Sequence, residues 1–188
     1  MCIRDRQGER AIALLDDLLE LAQVGHVKPG DHPTNVNMIV TEIMNELSLE
    51  NSSYPEIKSE ELPQSWLPKA LVYQLFTNLL RNACHYATEG TAPIEVGYWD
   101  EGSRVTYFVR DYGPGVPFQE RETIFDIFYR GKTSRGKPGN GVGLAIVRKI
   151  ALRCQGEAWV EQTPGGGATF CVSLPKAAVI GKPAEDET

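Results

Sequence analysis

No two of the four cysteines, Cys2, Cys84, Cys154 and Cys171, form a CxxC pair or any spacing typical of a metal site. Three of them sit in or near apolar-periodic segments, so they read as buried, reduced thiols rather than a disulfide framework or a zinc site. That usage fits a reducing, cytoplasmic compartment. No apolar run approaches the length needed to cross a membrane, and no secretory leader is visible. An excess of basic charge is also missing. The net charge is −6 over 188 residues, which argues against nucleic acid as the partner. There is no internal repeat. Histidine is scarce: His26, His32 and His85 are the only three.

What is present is enough chain for one domain plus an appendage, with a sizeable core. Residues 1–6, MCIRDR, resemble the in-frame translation of a sequencing adapter and are excluded from fold reasoning. From Arg10 to Ala22 apolar residues recur at helical spacing over an unusually wide face, including Leu14, Leu15, Leu18 and Leu19. A helix of that kind needs partners on both sides. Gly25, Pro29, Gly30 and Pro33 then mark a linker, so residues 7–30 read as helix and linker and 31–176 as the main domain. The tail at 177–188 is expected to be mobile.

Within the main domain, Val36, Ile39, Val40, Ile43 and Leu47 form one helical stripe, and residues 67–87 predict a long helix. PEIKSEEL is a candidate strand. PIEVGYWD and SRVTYFVRD alternate as half-buried strands, with Val105, Tyr107 and Val109 on one face. A helix starts within GVGLAIVRKIALRC. EAWVEQ and ATFCVSL complete the set, with Ala168, Phe170, Val172 and Leu174 sharing a face. Helices among hairpin-like strand pairs give an α+β class, a two-layer sandwich rather than a βαβ array.

Three elements carry chemistry. GNGVGLAIV is not a dinucleotide fingerprint, because Leu144 stands where the third glycine belongs. GKTS at 131–134 is not a phosphate loop, because Asp126 stands where its first glycine belongs. Yet Gly139, Gly141 and Gly143 lead straight into a helix, whose first N–H groups favour an anion; a flexible loop before a helix is the alternative. RDYGPGVP ends a strand on Asp111, with Gly113 and Gly115 around a turn. A carboxylate there can accept from the amino group of adenine, whereas guanine would present a carbonyl; a simple strand-ending turn is the alternative. NLLRNACHY places Asn78 and Asn82 on one helix face, followed on the same side by His85 and Tyr86. Asparagine is a poor helix former, so the pair reads either as satisfied amides or as an oxygen ligand for Mg²⁺ at Asn82.

In this order the three elements resemble the ATP-binding domain of the gyrase, Hsp90, histidine kinase and MutL superfamily, in its histidine-kinase branch. NLLRNACHY resembles the N box, DYGPGVP and GNGVGLAIV the two glycine boxes, IFDIFYRG the phenylalanine box, and GGGATFCVSLP the terminal glycine motif. The resemblance spans about Leu14 to Pro175. It implies ATP and Mg²⁺ as ligands and the Bergerat ATP-binding fold. It implies Asn82 on the metal with Asn78 one turn earlier, and His85 and Tyr86 beside the nucleotide. Asp111 then reads adenine, and Thr169 supplies a hydroxyl to the same site. Gly139, Gly141, Val142, Gly143 and Leu144 form the phosphate loop. Phe125 and Phe128 anchor a lid over residues 129–140, in which Arg130 and Lys132 approach the phosphates while Arg135 and Lys137 are solvated. Few apolar anchors and many glycines predict that this lid is mobile without nucleotide.

The hydrolytic branches carry a glutamate one turn before the metal asparagine. Asn78 stands there, and an amide cannot serve as that base. Phosphoryl transfer is therefore expected over hydrolysis. LLDDLLELAQ resembles the second helix of a dimerisation and phosphotransfer hairpin, which suits a four-helix bundle made by two chains. The first hairpin helix, with a HELRTPL-like acceptor segment, is absent, and His26 and His32 lack that motif. The resemblance implies a longer parent chain, a homodimer, transfer to the parent's own acceptor hairpin, and a response regulator downstream. A serine-directed kinase of the anti-sigma-factor type and a nucleotide-sensing module without catalysis are the competing readings.

Overall fold

The computed structural model describes Leu15, Leu19 and residues 32–87, 92–131, 134 and 139–179. Leu15 and Leu19 are helical and more than half exposed; the rest of the expected first helix and linker, His26 included, lies outside the described residues.

Helix α1 spans Val36–Glu50. It starts at Asn35, whose side chain accepts from the Met38 N–H at 3.0 Å, a cap worth about 1 kcal/mol. Its stripe Val36, Ile39, Val40, Ile43 and Leu47 is buried, as the spacing predicts. A short strand β1, Ile57–Ser59, follows. Helix α2, Lys69–Tyr86, buries Leu71, Val72, Leu75, Phe76, Leu79, Leu80, Ala83 and Cys84. Strands β2 (Ile94–Asp100) and β3 (Arg104–Arg110) form an antiparallel hairpin. Two 3₁₀ turns, Phe118–Glu120 and Thr123–Phe125, lead to helix α3, Gly143–Arg153. A second antiparallel hairpin, β4 (Glu157–Gln162) with β5 (Ala168–Pro175), completes the sheet.

The strand order is β1-β2-β3-β5-β4. The hairpin reading holds for four strands; β1 differs, joining β2 in parallel. Val96, Val109, Phe170 and Val160 stand in register across four strands and are all buried. With Tyr107, Val172 and Leu174 they face α1, α2 and α3 in one core. This is the two-layer α+β sandwich expected.

The opposite face is not an ordinary wet face. Thr106, Phe108, Cys171 and Ser173 alternate outward, yet none is more than 6% exposed. Long side chains on the same face cover them: Trp99 stacks on Phe108, and Arg104 donates to Ser173 Oγ at 2.7 Å. The packed chain also runs past residue 176. A short helix α4, Lys176–Val179, buries Val179 completely, and the Trp66 N–H donates to the Ala178 carbonyl at 3.0 Å. The first three residues of the expected mobile tail are thus part of the fold; residues 180–188 lie outside the described set.

Candidate nucleotide site

Asp111 follows β3 directly and is 2% exposed. Its Oδ1 accepts from the Gly113 N–H at 2.9 Å and the Ala168 N–H at 3.2 Å, while its own N–H donates to the Ala168 carbonyl at 2.8 Å. These two backbone donors offset part of the cost of burying the carboxyl group. The glycines around it are there because backbones touch. A Cβ at Gly113 would lie 2.3 Å from the Tyr86 carbonyl oxygen, and one at Gly167 would lie 2.1 Å from the Asp111 carbonyl oxygen. Gly115 in turn packs on the Gly167 carbonyl. The end of α2, the turn after Asp111 and the β4–β5 turn therefore close on one another around the carboxylate.

Thr169 is not part of this cluster, which corrects the expectation drawn from the terminal glycine motif. Arg110 and Thr169 are register partners, and Arg110 Nε donates to Thr169 Oγ1 at 3.3 Å. Thr169 Oγ1 also pairs with Thr163 Oγ1 at 3.0 Å. Neighbours on a strand point to opposite faces. Phe170 faces the helices, so the Thr169 hydroxyl belongs to the outer face. The residue beside Asp111 on the inner side is Ala168, which offers a backbone N–H and no hydroxyl. The alternation of Ala168, Phe170, Val172 and Leu174 already contained this answer.

Other candidate residues lie on α2. Asn78, Asn82, His85 and Tyr86 are all partly exposed. Asn78 Nδ2 donates to the Gln74 carbonyl at 2.9 Å. Its oxygen faces Gly143 so closely that a Cβ there would lie 2.6 Å from Oδ1. Asn78 thus touches the first turn of α3. Among the described residues, the Asn82 amide has no protein hydrogen-bond partner. His85 meets the Tyr54 ring edge-on at 6.0 Å, and Tyr86 presents its carbonyl to Gly113.

Helix α3 begins after Val142, whose carbonyl accepts from Ile146 N–H at 3.0 Å and whose own side chain makes no cap. Val142 is buried and Leu144 packs against the core, so the helix start is fixed from beneath. Gly141 accepts from the Phe128 N–H at 2.9 Å, tying this loop to the phenylalanine segment. Gly139 has open space around it.

The two phenylalanines divide. Phe125 is 4% exposed and anchors its turn. Phe128 is 54% exposed and holds φ at +66°, so it is no apolar anchor. A left-handed phenylalanine is strained and is held here by backbone contact with Gly141. Arg130 is exposed; its Nη2 donates to the Ser134 carbonyl at 2.9 Å, and Ser134 Oγ donates to the Gly131 carbonyl at 2.6 Å. Lys132, Arg135 and Lys137 lie outside the described residues, so of the predicted lid only residues 129–131, 134, 139 and 140 are described.

A buried carboxylate with an inward-facing amide neighbour, an open helix start and an unpartnered asparagine oxygen can together take a base at one end and an anion with its cation at the other. Residues 68–178 match the family model for histidine kinase-, DNA gyrase B- and HSP90-like ATPases. The chain belongs to this family. The matched stretch contains every site element described above. Cyanobacterial phytochrome B of a Nostoc species is 35% identical over 90% of this chain and 23% of its own length. The methanogenesis regulatory histidine kinase FilI of Methanothrix harundinacea is 34% identical over 86% of this chain and 18% of its own length. Among solved structures, the catalytic domain of histidine kinase ThkA is 26% identical with a TM-score of 0.63, covering 77% of this chain and 97% of that domain. The chain therefore spans about a fifth of the length of those two curated relatives and nearly all of an isolated catalytic domain.

Sequence reasoning missed the residues that flank the carboxylate on the outer face, Glu95, Arg110 and Tyr112. The alternation in PIEVGYWD and SRVTYFVRD places Glu95 and Arg110 outward. Their mutual register was not legible.

Proposed function

We propose that this chain is the ATP-binding catalytic part of a two-component sensor histidine kinase, which transfers the γ-phosphoryl group of ATP to a histidine on an acceptor helix. The observation that carries the reading is the buried Asp111 carboxylate, held by two backbone N–H groups at the end of β3. Asp111 accepts from the adenine amino group. The first turn of α3, with Gly141 and Gly143, takes the phosphates. Asn82 Oδ1 serves as an oxygen ligand for Mg²⁺, whose role is to neutralise phosphate charge. Among the described residues no group of three His, Cys, Asp or Glu could hold a metal, so the cation would be held mainly by the triphosphate itself. His85, Tyr86 and Arg130 line the approach to the phosphates, and Lys132 belongs to the same basic segment.

Asn78 supports transfer over hydrolysis. Its amide has no basicity to activate water, and its nitrogen is already committed to Gln74. It acts instead against Gly143, at the start of α3. The names of the matched relatives favour this reading over the serine-directed kinase and over the module without catalysis. The acceptor hairpin of a longer parent chain, a homodimer and a response regulator are the partners this function implies. No helix among the described residues is long and apolar enough to cross a membrane; a cytoplasmic setting for the domain is part of the proposal.

Calorimetry with ATP, ADP and GTP at fixed Mg²⁺ tests the site. ATP and ADP should bind well over tenfold tighter than GTP, since a hydrogen bond to a charged group is worth about 1.5–3 kcal/mol. Equal affinity for ATP and GTP would remove the role of Asp111.

A further inference from the structure

Glu95 stands opposite Arg110 in the β2–β3 ladder. Its two carboxylate oxygens are used separately. Oε2 accepts from Arg110 Nη1 at 2.9 Å, and Oε1 accepts from Tyr112 Oη at 2.9 Å. Arg110 and Tyr112 are the two neighbours of Asp111 in the chain. One side chain on β2 thus grips both residues flanking the base-reading carboxylate, from the face of the sheet opposite the site.

The grip is backed by a built surface. Arg110 lies over the Phe108 ring at 5.1 Å, and Phe108 stacks on Trp99 at 4.7 Å between centroids. Phe108 lies close over Gly97, where a Cβ would come within 2.5 Å of Phe108 Cζ. On its other side Arg110 reaches Thr169 Oγ1, itself bonded to Thr163. An isolated surface ion pair contributes little. Here the Arg110 and Glu95 side chains are 26% and 37% exposed, and the pair closes a ring through three consecutive residues at the end of a strand. Asp111 is one residue past the last register pair of β3, where a strand end can otherwise twist. The hydrogen bond to Glu95 also raises the Tyr112 hydroxyl pKa, with burial adding to it, which keeps this arm protonated.

We infer that Glu95 is a positioning residue for base recognition: by holding Arg110 and Tyr112 on the outer face it sets the orientation of the Asp111 carboxylate on the inner face. The inference rests on the reading of Asp111 as the adenine acceptor. It assigns a function to Thr169 as well, as a support for Arg110 instead of a contact to the base.

The test is calorimetric affinity for ATP and for GTP, with Mg²⁺, in the full chain and in Glu95→Ala, Tyr112→Phe, Asp111→Asn and the double variant Glu95→Ala/Asp111→Asn. Coupling between linked groups predicts that Glu95→Ala weakens ATP binding about three- to tenfold and leaves GTP binding within about twofold. Tyr112→Phe, which removes one arm at nearly constant volume, should lower the ATP:GTP ratio in the same direction by a smaller factor. On the Asp111→Asn background, Glu95→Ala should change the ratio no further. A parent-like ratio in both Glu95→Ala and Tyr112→Phe, beside a clear fall in Asp111→Asn, would overturn the positioning role while leaving the base reading intact. An equal fall on the Asp111→Asn background would show that Glu95 acts by another route. A parent-like ratio in Asp111→Asn itself would remove the base reading, and the inference with it. Tyr112→Phe keeps the test decisive should Glu95→Ala fail to fold.

Discussion

The proposed base end and the proposed phosphate end of the site are built on different principles. Around Asp111, backbone meets backbone. The glycines at 113 and 167 stand where a Cβ would strike a carbonyl oxygen, the carboxylate is buried, and two amide N–H groups donate to it. At the phosphate end the actors are more exposed: Asn82 without a hydrogen-bond partner among the described residues, Arg130 at the surface, Gly139 in open space. Rigid backbone suits recognition of a flat, neutral base by one hydrogen bond, since misplacement costs the whole interaction. Exposed side chains and an open helix start suit a charged group that brings its own cation and has to leave as product. The comparison also separates what substitution does. At the base end, substitution of the packed glycines should cost stability; at the phosphate end, substitution should cost function with little loss of stability.

Glycine substitutions give the largest contrast. Gly167→Ala places a Cβ 2.1 Å from the Asp111 carbonyl oxygen at φ +107°. Gly139→Ala meets strain at φ +124° but no neighbour within 4 Å. In urea unfolding Gly167→Ala should cost about 1–3 kcal/mol more than Gly139→Ala, the usual penalty of overpacking. Equal costs would mean that the base end yields as easily as the loop.

Asp111→Asn comes next. The amide keeps an oxygen for Gly113 and Ala168 but turns the other atom into a donor. ATP binding should fall by about 1.5–3 kcal/mol, with GTP little affected, in the same titrations. Asn82→Ala belongs to the other end. Its stability should stay within about 0.5 kcal/mol of the parent, as for surface changes generally, while the dependence of ATP affinity on Mg²⁺ concentration is lost. Ordinary Mg²⁺ dependence in that variant would leave Asn82 with no role in metal binding.

The smallest effect concerns pH. Burial pushes the Cys84 thiol up to about 11 and the Cys171 thiol up to about 12, each with a smaller push from a nearby glutamate. The folded chain therefore retains protons that an unfolded thiol releases near pH 8.5. Their contribution to stability is fully present below about pH 8.5 and is lost as pH rises through 11–12. Urea midpoints should be unchanged by these thiols from pH 6 to 8.5 and should fall above that range. Cys171→Ala should flatten the alkaline limb.

Much of this molecule is legible in its sequence, and the failures have causes. The stripe on α1, the long helix α2 and the alternation of β2, β3 and β5 follow from hydrophobic period alone. The position of Asp111 follows from a strand ending in Asp and Gly. Thr169 was misplaced because a motif was allowed to outrank alternation: the neighbours of Phe170 point outward whatever the motif implies. Phe128 was misplaced because aromatic type was taken for burial, and no pattern in IFDIFYRG announces a left-handed residue. Glu95 was missed because pairing register depends on turn geometry across the sheet, which local sequence does not encode. Val179 is buried in the core, next to the Trp66–Ala178 backbone bond, a tertiary placement that composition cannot foresee.

The central claim is that this chain supplies the ATP-binding half of a phosphotransfer reaction. Transfer requires an imidazole held in line with the γ-phosphate. The direct measurement is radiolabelled transfer from ATP, with Mg²⁺, to an added acceptor hairpin domain of a sensor kinase, followed by acid and alkali treatment of the separated proteins. The account predicts acid-labile, alkali-stable label on the hairpin alone, weakly because the two parts are untethered, and none on this chain. Label on His26 or His32 of this chain, or rapid release of free phosphate with no hairpin labelled, would contradict it.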